Sequence, residues 1–314
     1  MHCSDKAEHV SKCLELAILL EVSANKPGNV NRANDFERTR YEHFLASAVA
    51  MSPSFKIAAE RGIAVSQKNL GLDDIELGLI IKDCVMSVNA WQHGGNTLLG
   101  TALLLLPIAA AAGITYDNER ALDVQGLRKN LGFVVESTTP EDAVNVYEAI
   151  RAANPGGLGK VSDLDVNDPN SVDKIRKDRT SLYQVFKLAS SYDLICSEWV
   201  NNYPITFDLA YSSLRRQFEE NKTLDSVIVL TFLEVLAEHP DTLIARKTSS
   251  EEARRISLTA KEVLKLGIES SRGKQSLSRF DKELRRSSNL LNPGTTADIL
   301  SAALSLCVLG GYRP

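Results

Sequence analysis

Apolar residues recur at helical spacing almost from one end of this chain to the other, and that property limits what it can fold into. "KAEHVSKCLELAILLEVSAN" sets Val10, Cys13, Leu14, Ala17, Ile18 and Val22 at i, i+3, i+4 intervals, the pattern that gives a helix one buried face. "YEHFLASAVAMSPSFKIAAERG" continues it, with Phe44, Leu45, Ala48 and Val49 expected inward. "DDIELGLIIKDCVMSVNAW", "SLYQVFKLASSYDLICSEWV", "LDSVIVLTFLEVLAEH", "SEEARRISLTAKEVLKLGIES" and "TTADILSAALSLCVLGG" repeat the habit. In "TPEDAVNVYEAIRAAN", Thr139 precedes Pro140 in the first turn, a helix start. Strand-like alternation is absent. The reading is an all-α protein, a single large domain over 1–314 with about ten or more helices. The loop at 154–171 is its softest joint.

Only 6% of the 314 residues are aromatic against 44% hydrophobic, so aliphatic and alanine side chains must fill the core. A formal net charge of −4 with no basic stripe argues against nucleic acid as a partner. The five cysteines are scattered without CxxC spacing, which speaks against a disulfide framework or zinc site and for a reducing cytoplasm. No basic-then-apolar leader opens the chain. The most apolar run, "TALLLLPIAAAAG" at 101–113, would span roughly 20 Å as a helix, short of a roughly 30 Å hydrocarbon layer. It reads as a buried helix rather than a membrane span. Whether the stretch 97–112 is internal core or the interface of a homo-oligomer stays open.

Four glycine-bearing turns interrupt the helices. In "EVSANKPGNVNRANDF", Pro27 should stop the first helix at Lys26. Gly28 permits positive φ, so that backbone N–H groups can converge on an anion, with Lys26 and Arg32 adding charge. Asp35, Thr39 and Glu42 would share one face if the chain were helical from Asp35. Phosphate-friendly turn and carboxylate stripe together suit Mg²⁺ and a polyphosphate. The plainer alternative is that Asn34 or Asp35 caps a helix. "HGGNTLLG" at 93–100 leads through Asn96 or Thr97 into a helix N-terminus, either a phosphate site or a simple connection. It is no Walker loop. "NPGGLGKVSDLDVNDPN" carries Lys160, Asp163, Asp165 and Asp168 without EF-hand spacing. In "LLNPGTTADILSAAL", Thr295 and Asp298 fit an acidic capping box. "HPDTLIARK" sets Asp241 near Arg246 and Lys247, which alone reads as a surface ion pair.

Taken in order, "EVSANKPGNVNR", "DFERTRYEHFLASA", "GGNTLLGTALLLLPIA", "DTLIARK" and "NPGTTADILSAAL" resemble the triphosphoribosyl-dephospho-CoA synthase family in an archaeal-type form, over about residues 10–310. The resemblance implies a transferase in which a ribose hydroxyl of 3′-dephospho-CoA displaces adenine from ATP. The product is 2′-(5″-triphosphoribosyl)-3′-dephospho-CoA, a prosthetic-group precursor. ATP, dephospho-CoA or a related acceptor, and Mg²⁺ follow as ligands. It further implies a phosphate-facing turn of Lys26, Gly28, Asn29 and Arg32. Asp35 and Glu42 become carboxylates for acid–base work or, with Asp298, for Mg²⁺. Asn96 and Thr97 form a second wall, and Asp241, Arg246, Asn292 and Asp298 close the site. Where bacterial members typically carry His-Lys after Asn-Thr, this chain has Leu98-Leu99, and Arg38 and Arg40 stand where they tend to have an acid. A Mg²⁺-dependent nucleotide or ADP-ribose-like hydrolase, and a non-catalytic nucleotide- or CoA-binding regulator, are the alternatives.

Overall fold

Helix after helix packs without a sheet. The computed structural model describes residues 3–115, 123–159, 163–220, 222–286 and 288–314; Lys160 lies outside them. They form α1 (Cys3–Ser23), α2 (Tyr41–Ser66), α3 (Leu77–Trp91), α4 (Leu99–Thr115) and α5 (Val124–Glu136). Next come α6 (Pro140–Ala153), α7 (Asn170–Asp178), α8 (Leu182–Ala189), α9 (Leu194–Val200) and α10 (Ser212–Glu219). The series ends with α11 (Leu224–Glu238), α12 (Thr242–Lys247), α13 (Ser250–Lys265), α14 (Ser271–Arg285) and α15 (Gly294–Leu309). A π-helical segment, Ile205–Tyr211, leads into α10. Among the described residues the only β-type pairing is one isolated bridge, Asn31 to Asn34. The all-α expectation therefore holds.

α1 buries the predicted face: Val10, Leu14, Ala17, Ile18 and Val22 are wholly inaccessible. It ends at Ser23, and Lys26 already lies in the turn. α6 starts as read, with Thr139 and Asp142 forming a reciprocal capping box at its first turn. One inward assignment fails. Val49 is 46% exposed on the outer face of α2, because the face meeting α1 and α4 is set by Ala48, Met51 and Phe55.

α4 and α15 form the centre. Residues Leu104–Leu106 and Ile108–Ala112 of α4 are inaccessible within this one chain, so most of the stretch 97–112 is internal core, while Thr97, Leu99 and Gly100 at its start are half-buried. Pro107 sits inside α4; lacking an N–H, it cannot bond the carbonyl four residues back, on Leu103. Trp199 of α9 repairs the defect, its indole Nε1–H donating to the Leu103 carbonyl at 2.8 Å. The Tyr203 hydroxyl donates to the next carbonyl, of Leu104, at 3.4 Å. Trp199 of α9 and Tyr203 just beyond it thus anchor this segment to α4, while the N-terminal turn of α4 meets the start of α15 through Thr101 and Asp298, where the main cavity lies.

Candidate active site

A cavity of about 650 Å³ opens where the α1–α2 turn, the 92–98 turn, the 154–157 loop, α12 and the start of α15 converge. Asn29, Asn96, Thr97, Arg246, Asn292 and Asp298 of the residues singled out from sequence border it. Lys26, Gly28, Arg32, Asp35, Glu42 and Asp241 do not.

Lys26, Gly28, Asp35 and Asp241 have other partners, and Arg32 and Glu42 are exposed. Lys26 is fully buried, its Nζ 3.0 Å from Glu21 Oε1 and donating to the Glu21 carbonyl at 2.5 Å. It balances an internal carboxylate and faces no phosphate. Gly28 does adopt φ +68, and its N–H does meet an anion, but the anion is the Asp281 carboxylate of α14 at 2.8 Å. A Cβ there would lie 2.5 Å from Leu284 Cβ, so the turn is locked onto α14. Arg285 completes the lock: its Nε donates to Asp281 at 2.8 Å and its Nη2 to the Asn29 carbonyl at 2.6 Å. Arg32 is exposed outside the cavity. The carboxylate stripe does not form, because residues 35–40 are not helical and α2 starts at Tyr41. Asp35 instead accepts the Tyr41 N–H at 2.7 Å, the capping alternative, and Glu42 faces solvent in the first turn.

Asp241 is no surface ion-pair partner. It is inaccessible and spends one oxygen on the N–H groups of Leu243 and Ile244, at 2.9 and 3.1 Å, capping α12. Its other oxygen accepts from Thr296 N–H and hydroxyl, both at 2.8 Å, joining α12 to α15. Arg246 pairs with Asp193 rather than with Asp241. The capping box on α15 is also absent. Thr295 accepts the Leu243 N–H at 3.2 Å, which frees Asp298 to face α4.

Among the described residues, Asp298 and Glu21 are the two carboxylates that border the cavity. Asp298 Oδ1 accepts the Thr101 hydroxyl at 2.5 Å. Its Oδ2 fits against Gly100, where a Cβ would come within 2.1 Å. Burial pushes the carboxyl up to about 8; the Thr101 bond opposes this, and the charges of Glu21 and Asp241 add to it. Asp298 is thus protonated at neutral pH. Glu21 is only 3% accessible; burial raises its pKa and Lys26 beside it acts in the opposite sense.

The rim is cationic. Arg38, Arg246 and Lys247 border the cavity. Lys247 Nζ donates to the Asn289 carbonyl at 3.0 Å, and burial lowers its pKa, with Asp241 opposing. The first turn of α4 adds backbone N–H groups and a partial positive charge. Asn96 accepts the Leu99 N–H at 3.1 Å as its cap, and Thr97 exchanges a hydrogen bond with Ser47 at 2.8 Å. Asn29 Nδ2 donates to Asn292 Oδ1 at 2.8 Å, and Thr39 donates to the Gly94 carbonyl at 2.8 Å, tying the turns together.

Glu21, Thr101 and Lys247 were not among the site residues chosen from sequence. Glu21 had a signal: it is a carboxylate three residues beyond Ile18, on the face of α1 that is otherwise apolar. Asp35, Glu42 and Asp298 do not meet. Among the described residues, no three His, Cys, Asp or Glu side chains are grouped to hold a metal ion, and no helix there is long and apolar enough to cross a membrane.

No curated protein sequence matches the chain. A crystal structure from Archaeoglobus fulgidus, of a proposed triphosphoribosyl-dephospho-CoA synthase, is similar with a TM-score of 0.61. The two share 22% identity over 86% of this chain and 100% of the other, a likeness of fold. The family model described as ATP:dephospho-CoA triphosphoribosyl transferase matches residues 7–313. Because that match takes in every element bordering the cavity, the chain belongs to this transferase family, whose members move the triphosphoribosyl group of ATP to dephospho-CoA.

Proposed function

We propose that the 650 Å³ cavity is where this transfer occurs, with ATP's triphosphate toward Arg38, Arg246, Lys247 and the first turn of α4, and its ribose over Glu21 and Asp298. The 2′-hydroxyl of the acceptor attacks C1′ of the ATP ribose as the C1′–N9 bond to adenine breaks. Positive charge develops on the ribose ring in such a displacement, and a neighbouring carboxylate stabilises it. Asp298, protonated, gives its proton to the departing adenine. Glu21 accepts the proton of the attacking hydroxyl, and Lys26 stabilises its charged form. The proton gained by Glu21 and the one lost by Asp298 balance over the cycle.

Mg²⁺ enters on the triphosphate, neutralising part of its charge; with two carboxylates and no grouped third, the cavity offers little to retain the cation alone. The observation carrying this reading is the contrast between a cationic rim and a floor where two buried carboxyl groups sit in different settings, Asp298 against the Thr101 hydroxyl and Glu21 against the Lys26 ammonium. Groups of one chemical type in settings that separate their protonation are how sites divide acid from base.

Chromatography of free adenine from Mg²⁺-ATP, with and without 3′-dephospho-CoA, tests the proposal. Adenine should appear only with the acceptor present. Equal release without it would replace transfer by hydrolysis.

A further inference from the structure

The main cavity is in the size range that encloses one drug-sized ligand, roughly 300–1,000 Å³. The reaction requires two nucleotides together, one bearing a long pantetheine arm. A second, apolar cavity of about 180 Å³ adjoins the first. Arg246 borders both. On the far side of that side chain stands its partner Asp193. The glycine-rich loop runs along the same partition, with Gly156 and Gly157 on the main cavity and Leu158 and Gly159 on the second. Gly157 lies so close to Arg246 that a Cβ would be 3.1 Å from Arg246 Cβ.

Leu158, Val185, Phe186, Leu188, Tyr192 and Cys196 supply the lining of the second cavity. Leu158, Leu188 and Tyr192 are 37%, 56% and 50% exposed at its rim. A concavity lined mainly by apolar and aromatic side chains with a few polar groups is the usual make-up of a small-molecule site. Its walls are mostly apolar, its acid Asp163 is paired with Lys174, and the cation it has, Arg246, is shared with the main cavity, so it is not built for a triphosphate.

Resting on the transfer reaction above, we infer that this cavity receives the pantetheine arm of the acceptor, with the Arg246–Asp193 pair as the partition over which the arm passes. The arm is a chain of methylenes, a gem-dimethyl group, one hydroxyl, two amides and a terminal thiol, without net charge. It matches an apolar wall with a tyrosine hydroxyl at the rim. The adenosine diphosphate end remains in the main cavity, where its 2′-hydroxyl faces the ATP ribose. The second cavity therefore selects dephospho-CoA over ADP, which has the same nucleotide without the arm.

Two variants test this from different walls: Ala189→Phe, which fills the cavity from α8, and Leu188→Glu, which sets a charge at its exposed rim. Adenine released from base-labelled ATP is followed with dephospho-CoA or ADP as acceptor. In both variants the preference for dephospho-CoA over ADP should fall at least about tenfold, the loss appearing in KM for dephospho-CoA, while KM for ATP moves less than about twofold. An unchanged KM for dephospho-CoA overturns the inference. So does a raised KM for ATP, which would seat the donor's base here, and so does an equal loss with both acceptors, which would signal general damage. If the unmodified protein releases no adenine, the transfer reading itself fails. Calorimetric binding of dephospho-CoA and ADP then still decides the cavity, since only the former should be weakened by the variants.

Discussion

The proposed proton transfer to adenine rests on a single residue, Asp298. Asp298→Asn keeps the Thr101 bond but has no proton of the right acidity, so kcat should drop by about 10²–10⁴-fold with the helical circular-dichroism signal unchanged. The same substitution should stabilise the fold in a defined pH range. Its carboxyl is raised from 3.8 to about 8. Below pH 4 both folded and unfolded forms carry the proton and the residue costs nothing. Between about 4 and 8 the unfolded chain releases it while the folded one holds it, so wild-type stability declines as pH rises. Melting curves should therefore show the variant's advantage growing from pH 4 to pH 8. At this scale the sequence was only partly legible. Asp298 was visible, though its partner Thr101 lies 197 positions away. Glu21 was concealed within a good amphipathic pattern, and Asp35 and Glu42 were misplaced because helical spacing was projected onto a stretch that is not helical.

Among the elements, the turns read as ligand cradles are largely latches between helices. The anion that Gly28 faces is a side chain of α14, and Asp241 holds α12 to α15 with all of its oxygen lone-pair directions toward N–H and O–H donors. Asp241→Ala orphans those donors and should cost on the order of 3 kcal/mol, lowering the melting temperature even without nucleotide. A normal melting temperature with lost activity would instead put Asp241 in the chemistry. The helices were readable because period-3.6 burial is local information. α6 even announced its cap. What a turn holds depends on which distant helix lies opposite, and local spacing is silent on that.

For the molecule as a whole, the fold class, the family and the main cavity's Asn29, Asn96 and Asn292 corner were all foreshadowed by the order of motifs, whereas the adjoining apolar cavity was not. Its walls come from four separate segments with nothing in common but proximity. The proposal that Mg²⁺ arrives only with substrate belongs to this scale. A chelator should abolish adenine release from ATP while leaving the melting temperature of the nucleotide-free protein unchanged within about 1 °C. A shift of several degrees on chelation would reveal a resident ion instead.

The proline defect in α4 has an optical consequence. The chain has two tryptophans: Trp91 is 63% exposed, and Trp199, which repairs the defect, is 1% exposed. Acrylamide quenching therefore separates a red-emitting, accessible indole from a blue-emitting, protected one. With Trp91 replaced by Phe, the remaining emission comes from an indole hydrogen-bonded to Leu103, within a turn of the α4 residues Leu99, Gly100 and Thr101 that border the main cavity. Stopped-flow fluorescence of that variant gives a label-free clock for any strain that nucleotide arrival sends down α4.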